Sequence, residues 1–478
     1  MSKIKYVSSP CGSGKTHYIC KKINESENRF LIIQSTQELA KDTAQKIHDC
    51  KCIITDTVLN ANSVIDANSV IDAVTKFMNK PSNRNLIITD KTFFKIPIDL
   101  LSGWIIYIDD VTNFHGFKSI NENNSKIKEI IKRELLTDIE KLDDDWKYIT
   151  AKSKLDFQGD IMSRISSEFS IIKENHLFIM NYGFFSDPEK SQLNITSWKD
   201  LNSYAELDIT FFSANFEKTL IYKVYKDIFE EVKVKDLMVR KTPLKDRIKV
   251  YYFSKNIKLS KSWKENNPEK LQRIYNHLND ELIGNEYYWT QNNNDIQKLD
   301  AGIKISPDAR GFNQYSNIKT CVWLASMRPS DVEAKQCELF FGLSREDIHH
   351  AREYESLHQF VLRGISRNYN SDEIQTVYVF DKSQASYLTD NIEYIDLGLD
   401  NDECVPRGRP KGSTNNEKRF TLCNTKAARF SRWKKKNPEL DLKEFKKFLS
   451  NEINKDLSTE EINEMHNKYN KAVKKKKK

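Results

Sequence analysis

The chain has 478 residues, 38% of them hydrophobic and 30% charged, and a formal net charge of +8. That length suits two or three domains. No apolar stretch approaches the roughly 18 residues of a membrane span, and no apolar run near the N-terminus ends at a small-residue cleavage site. Secretion and membrane insertion are therefore excluded as first readings. The eight cysteines include no C-x-x-C pair, so neither a zinc ribbon nor a disulfide framework is indicated, and an intracellular, reducing location is expected. Charge is unevenly placed. Of 76 Lys/Arg and 68 Asp/Glu, residues 401–478 hold 22 and 11, a net of +11, which leaves 54 against 57 for the rest, a net of −3. A near-neutral body with a basic tail points to nucleic acid as a partner; a solubilising terminus is the plainer alternative.

From the N-terminus, short apolar runs at Ile4–Val7, Phe30–Ile33, Cys52–Thr55, Leu86–Ile88 and Trp104–Ile108 predict buried strands. Polar stretches with helical periodicity separate them, as at Gln37–Ile47, so a parallel sheet covered on both faces is expected. Residues 115–206 are more polar and predict a mostly helical insertion, clearest at Ile127–Leu142. Strand-like runs resume at Leu207–Phe212, Ile248–Phe253, Glu286–Trp289, Thr320–Ala325 and Thr376–Phe380, giving a second α/β layer system. The six-residue tandem copy Ala61–Asp66 and Ala67–Asp72 is too short for a solenoid and receives no function.

Ser9-Pro-Cys-Gly-Ser-Gly-Lys-Thr16 follows the first strand and leads into a helix. Gly12 and Gly14 free consecutive backbone N–H groups to wrap phosphate oxygens, with Pro10, Cys11 and Ser13 completing the loop. Lys15 adds charge at the β- and γ-phosphates, and Thr16 offers a hydroxyl to Mg²⁺. The run Trp104–Asp110 ends in two acids: Asp109 to hold the metal through water, Asp110 to polarise an attacking water. The cofactors expected are ATP and Mg²⁺.

The ordered strings Pro10–Thr16, Gln34–Ala40, Leu86–Asp90, Asp109-Asp110, Ser213-Ala214-Asn215, Ser306–Asn313 and Gln359–Arg367 resemble the motifs of superfamily 2 helicases, most nearly viral origin-binding replication helicases. The resemblance implies two tandem RecA-like P-loop domains. Ser35, Thr36 and Thr89 would touch the nucleic-acid backbone, and Ser213, Ala214, Asn215, Arg310, Gly311 and Asn313 would couple hydrolysis to motion. Gln359 would position water, and Arg363 and Arg367 would act as arginine fingers. Three departures stand out. Asp110 replaces the usual Glu, and the two arginines are four apart rather than three, which a helix would still keep on one face. With only Met1–Lys3 before the first strand, no upstream adenine-reading Gln is present in this sequence.

After Gly398 the composition changes. Pro406–Gly412 resembles an AT-hook, with Arg407, Arg409 and Lys411 placed for a narrow minor groove. A basic stretch follows, in which Phe430 and Trp433 would stack on bases, and Ser458–Glu461 predicts a capping box. The lysine run Lys474–Lys478 also fits a nuclear localisation signal, should the host be eukaryotic.

The expected division is 1–220 as the first RecA-like domain, carrying the insertion 115–206, and 221–398 as the second. A linker at 399–418 and a basic helical DNA-binding tail at 419–478 follow. The expected activity is that of an ATP-dependent DNA helicase or translocase in the replication of a virus or mobile element, in the host cytoplasm. A DNA-packaging-type ATPase and a non-enzymatic DNA-binding protein with a decayed nucleotide site are the alternatives.

Overall fold

The computed structural model describes residues 3–56, 67–110, 115–142, 147–153, 177–307, 314–400, 429–431, 433–434, 437–451 and 457–476. It forms two compact units, Met1–Asn401 and Asp402–Lys478.

The first unit begins as strand β1 (Ile4–Ser8), helix α1 (Lys15–Asn24), β2 (Phe30–Gln34), α2 (Gln37–Ala44), β3 (Cys50–Cys52), α3 (Ala67–Asn79), β4 (Asn85–Thr89) and β5 (Ile105–Asp109). An excursion then follows: β6 (His115–Asn121), α4 (Ser125–Leu135), β7 (Leu136–Lys141), β8 (Tyr148–Ser153), β9 (Leu177–Asn181) and β10 (Gln192–Trp198). The chain returns through β11 (Ile209–Ser213) and β12 (Phe229–Glu231) to complete a seven-stranded, all-parallel sheet, β12-β1-β11-β5-β2-β4-β3. Alternation along its strands supplies both faces. Leu31, Ile33, Leu86 and Ile88 enter one buried cluster, Phe30, Ile32 and Ile87 the other. Because β12 pairs with β1, the first lobe runs past the expected limit at 220.

The second lobe holds β13 (Ile248–Ser254), α5 (Pro268–Glu281), β14 (Tyr287–Gln291), β15 (Ile303–Lys304), β16 (Thr320–Leu324), α6 (Asp331–Phe341), α7 (Arg345–His349), α8 (Glu355–Val361), β17 (Gln375–Asp381), α9 (Lys382–Leu388) and β18 (Ile392–Tyr394). Its sheet, β15-β14-β16-β17-β13-β18, is again parallel throughout. Trp323, Val377 and Val379 face one core, and Val322, Leu324, Tyr378 and Phe380 the other. At its end, the Asp400 carboxylate accepts hydrogen bonds from the Ser254 hydroxyl and the Lys255 amide. The expected α/β class, two tandem parallel lobes of RecA-like arrangement, is what the chain forms.

The insertion departs from expectation. Its described residues are built on a five-stranded antiparallel sheet, β6-β10-β9-β8-β7, with α4 packed on it, rather than on helices. The helix expected over 127–142 stops at Leu135 and becomes a strand. Asn194, Thr196 and Ser197 on β10 are polar yet buried, which hid the strand's alternation. Two of their bonds reach far along the chain: Gln336 on α6 donates to the Asn194 carbonyl (3.0 Å) and accepts from the Thr196 hydroxyl (2.7 Å). Trp198 packs beside Phe340 and Phe341. Glu333 is buried between His115 of β6 and Arg352. Through α6 and α7, the second lobe thus shares a continuous core with the first.

The second unit contains α10 (Leu442–Ser450) and α11 (Thr459–Lys476) around a small cluster of Phe430, Trp433, Leu440, Phe445, Met465 and Tyr469. The expected capping box is present: Glu461 accepts from the Ser458 amide, and the Ser458 hydroxyl accepts from the Glu461 amide. The expectation that Phe430 and Trp433 stack on bases is corrected, because both rings are buried in this core. With so few residues, the unit needs its aromatics inside to bury enough apolar area. Arg407, Arg409 and Lys411 lie outside the described residues, as do Arg310, Gly311, Asn313 and the Ala61–Asp66 copy of the repeat.

Candidate functional site

The loop between β1 and α1 lies at the carboxyl end of the first sheet. Gly12 and Gly14 have φ of 81° and 90°, in the left-handed region that a side chain disfavours. Gly14 caps α1, so the N–H groups of Lys15 and Thr16 open the helix. Ser13 is buried, and its hydroxyl accepts from that of Ser9 at 2.7 Å. The Lys15 ammonium donates to the carbonyls of Ser9 (2.8 Å) and Pro10 (3.0 Å), so its charge is held over the loop.

Parallel register sets the carboxylates. On β2 and β5, Gln34 stands opposite Asp109. Asp109 is buried, and its Oδ2 accepts from the Thr16 hydroxyl (2.6 Å) and the Gln34 amide (3.1 Å). Burial pushes this carboxyl above the ordinary aspartate range; those two hydrogen bonds and Lys15 act against it. Asp110 has φ of 77°, and its amide donates to the Phe212 carbonyl. Aspartate tolerates this conformation better than most residues, and the turn takes its carboxylate off the strand, where Ser213 donates to it at 3.3 Å. A hydroxyl and a buried carboxylate beside a glycine-built loop form an oxygen donor set suited to Mg²⁺ and phosphate.

Ser35, Thr36 and Thr89 follow or end β2 and β4, which are neighbours, so all three lie on the same edge of the sheet. Thr36 caps α2, accepting from the Leu39 amide, and the hydroxyls of Thr89 and Thr92 share a hydrogen bond.

The second lobe meets the loop directly. A Cβ added to Gly12 would lie 3.3 Å from Arg367 Cγ and 3.1 Å from the Tyr369 ring. Tyr369 and Arg240 both donate to the Cys11 carbonyl, at 3.0 and 3.3 Å, and the Arg240 guanidinium lies 4.0 Å from the centre of the Tyr369 ring. Arg363 is buried, and burial together with Arg363 lowers the pKa of Arg367. The same positive field reaches His358, whose pKa falls to about 4 through burial first and then through Lys218, Arg240 and Lys15. The arginines do not share a helix face as expected: α8 stops at Val361, and a turn at Gly364 leads to a 3-10 segment, Ile365–Arg367.

Gln359 is buried and donates to Glu355 Oε1 at 3.1 Å; the other Glu355 oxygen accepts from Asn215 at 3.0 Å. Asn215 itself adopts the left-handed region, with φ of 48°. Glu355 thus ties the end of β11 to the arginine segment. Sequence reasoning missed Gln34, Arg240, Glu355 and Tyr369; only strand order and the packing of the lobes bring them in.

No family model matches this chain, and no curated relative does either. Solved structures with a similar arrangement include an XPD helicase, at 13% identity over 83% of this chain and 96% of that one, TM-score 0.44. Xpd4 of S. tokodaii is 11% identical over 82% and 96%, TM-score 0.45. S. cerevisiae Dbp5 bound to RNA and ADP BeF3 is 11% identical over 83% and 85%, TM-score 0.36. Among the described residues, no helix is long and apolar enough to cross a membrane, and no cluster of His, Cys, Asp and Glu suits a metal ion.

Proposed function

We propose that this chain is an ATP-dependent helicase or translocase of the superfamily 2 type, acting on DNA in the replication of a virus or mobile element. The observation that supports it most directly is the approach of Arg367, from the second lobe, to Gly12 of the phosphate-type loop in the first. An arginine brought by another lobe makes phosphoryl transfer depend on closure, and closure and reopening move one gripping surface against another.

In this reading the backbone N–H groups of Gly12–Thr16 and the Lys15 ammonium bind the triphosphate. Thr16 and Asp109 hold Mg²⁺, which when bound neutralises phosphate charge. Asp110 accepts the proton of the attacking water as the bond from the γ-phosphorus to its bridging oxygen breaks, releasing ADP and phosphate. Arg363 and Arg367 stabilise the charge that develops there. Gln359 is held by Glu355, and the Asn215–Glu355 contact relays the state of the site between lobes. Ser35, Thr36 and Thr89 contact the nucleic-acid backbone, Arg310, Gly311 and Asn313 serve in coupling hydrolysis to motion, and Arg407, Arg409 and Lys411 anchor duplex DNA.

The test is phosphate release by the full chain with single-stranded DNA, duplex DNA and RNA. Hydrolysis stimulated by DNA and abolished by Lys15→Ala is expected. Hydrolysis that persists in that variant removes the motor reading, and absence of hydrolysis with retained DNA binding favours a decayed site.

A further inference from the structure

Between the lobes, residues 232–243 cross beside the phosphate-type loop as a strap without regular structure as far as Pro243. It is pinned there by the Met238 amide, which donates to the Ser13 carbonyl at 2.9 Å. Beneath and beside it opens a cavity of about 660 Å³, bounded by Ser9 and Pro10 on the loop side and by Tyr369 and Arg240 on the other. Its remaining wall is mostly aliphatic, and three of those side chains stay in solvent: Val232 is 36% exposed, Met238 53% and Val239 89%. Large apolar side chains left uncovered around one opening mark a binding surface rather than a packing defect.

From this we infer that the strap cavity receives the base and ribose of the nucleotide whose phosphates the loop holds, and that it accepts purine and pyrimidine nucleoside triphosphates alike. The inference rests on the proposed nucleotide reading of the loop. The cavity is continuous with that loop, so a nucleotide bound through its phosphates has its nucleoside end directed to one side of Ser9 and Pro10. The aliphatic side chains offer a face to any base. The guanidinium-on-ring pair of Arg240 and Tyr369 is fixed to the Cys11 carbonyl, which makes it a firm wall. Discrimination between bases requires fixed donors and acceptors aimed at the base edge. Among the described residues lining the cavity there is no asparagine or glutamine, and the hydroxyls of Ser8 and Ser9 are committed to Glu217 and Ser13. Of its charged members, Glu231, Lys233 and Lys235 are exposed, and the terminal nitrogens of Arg240 donate to the Ser366 and Cys11 carbonyls. Contact with base faces, without readout of base edges, gives affinity with little selectivity.

The experiment compares the full chain with Met238→Ser/Val239→Ser. Both side chains are exposed, so the double change leaves the core intact. Binding and hydrolysis of the magnesium complexes of ATP, GTP, CTP and UTP are measured, with inorganic triphosphate as a probe that has no base. The parent is expected to use all four with kcat/KM within about tenfold of one another. The variant should bind each about tenfold more weakly, through lost apolar contact, while triphosphate affinity changes less than about twofold. Equal weakening toward triphosphate, unchanged affinity for the nucleotides, or a parent preference above about a hundredfold for one base would overturn the inference. A parent that binds neither nucleotide nor triphosphate overturns the loop reading itself, a pattern distinct from all three.

Discussion

Asp109 and Asp110 are adjacent in the chain and differ in surroundings. Asp109 is enclosed and hydrogen-bonded by Thr16 and Gln34, as suits a group that holds position. Asp110 is turned away by its positive φ, to where the Ser213 hydroxyl donates to it at 3.3 Å. Asp110→Asn keeps the shape and tolerates the same backbone, so thermal stability and nucleotide affinity should be retained. If Asp110 takes the proton from water, kcat falls by ~10²-fold or more, read in steady-state phosphate release. The arginines separate from it by a different signature. Arg363→Ala and Arg367→Ala should each lower kcat by ~10²-fold or more with little change in nucleotide affinity, since a finger acts on transition-state charge. A large change in affinity with turnover intact would assign that arginine to ground-state binding. At this scale the local string Ser9–Thr16 and the acidic pair after an apolar run were readable, because each lies within one turn of chain. Gln34 became visible only through the strand register that sets it opposite Asp109.

Whole elements carry the link between lobes, and α6 carries most of it. Its first turn places Glu333 between His115 and Arg352. Burial alone would raise that carboxyl, but His115 and Arg352 outweigh it and hold its pKa below the ordinary glutamate value. A depressed carboxyl stabilises the fold fully above the unfolded pKa, and that contribution is lost as pH falls through the folded one. Thermal unfolding of Glu333→Gln should therefore fall below that of the parent near neutral pH, and the gap should close as pH drops beneath the glutamate range. A gap that does not change with pH would mean that the charge contributes nothing. The parallel lobes were legible because buried parallel strands are continuous apolar runs, as at Leu86–Ile88. The insertion was not, because β10 buries the polar Asn194, Thr196 and Ser197, the first two bonded to a glutamine more than a hundred residues away, so its sequence has the composition of a surface.

Over the whole molecule, the basic C-terminal unit has a core of its own. Phe445 stacks on Tyr469 at 4.2 Å, and the Tyr469 hydroxyl donates to the Leu440 carbonyl at 2.6 Å. Removing a buried phenylalanine costs about 3–5 kcal/mol, comparable with all the stability so small a unit has. Phe445→Ala should unfold this unit alone, seen as loss of one calorimetric transition with hydrolysis retained. Truncation after Asp400 removes a net charge of +11 and leaves the Asp400 contacts with Ser254 and Lys255 in place. Duplex-DNA affinity should then fall and its dependence on salt flatten, as fewer counterions are released. Arg407→Ala with Arg409→Ala should remove only the preference for A·T-rich duplex. Equal salt slopes for intact and truncated chains would leave the tail no role in DNA binding. Its helices were anticipated from periodicity and a capping box. The use of its rings was not, since Phe430 and Trp433, three residues apart on a helix, have the same spacing whether they face a core or a ligand.

The lobes of the first unit are fastened unequally at their two margins. On the insertion side, a shared apolar core, a buried amide on α6 and the Trp198 contact with Phe340 and Phe341 join them. At the phosphate-type loop they meet through a few polar bonds to the Cys11 carbonyl and the approach of Arg367. In the proposed motor cycle, two bodies glued along one margin and latched at the other would swing rather than slide, with the insertion as the pivot and the greatest travel where the arginines lie.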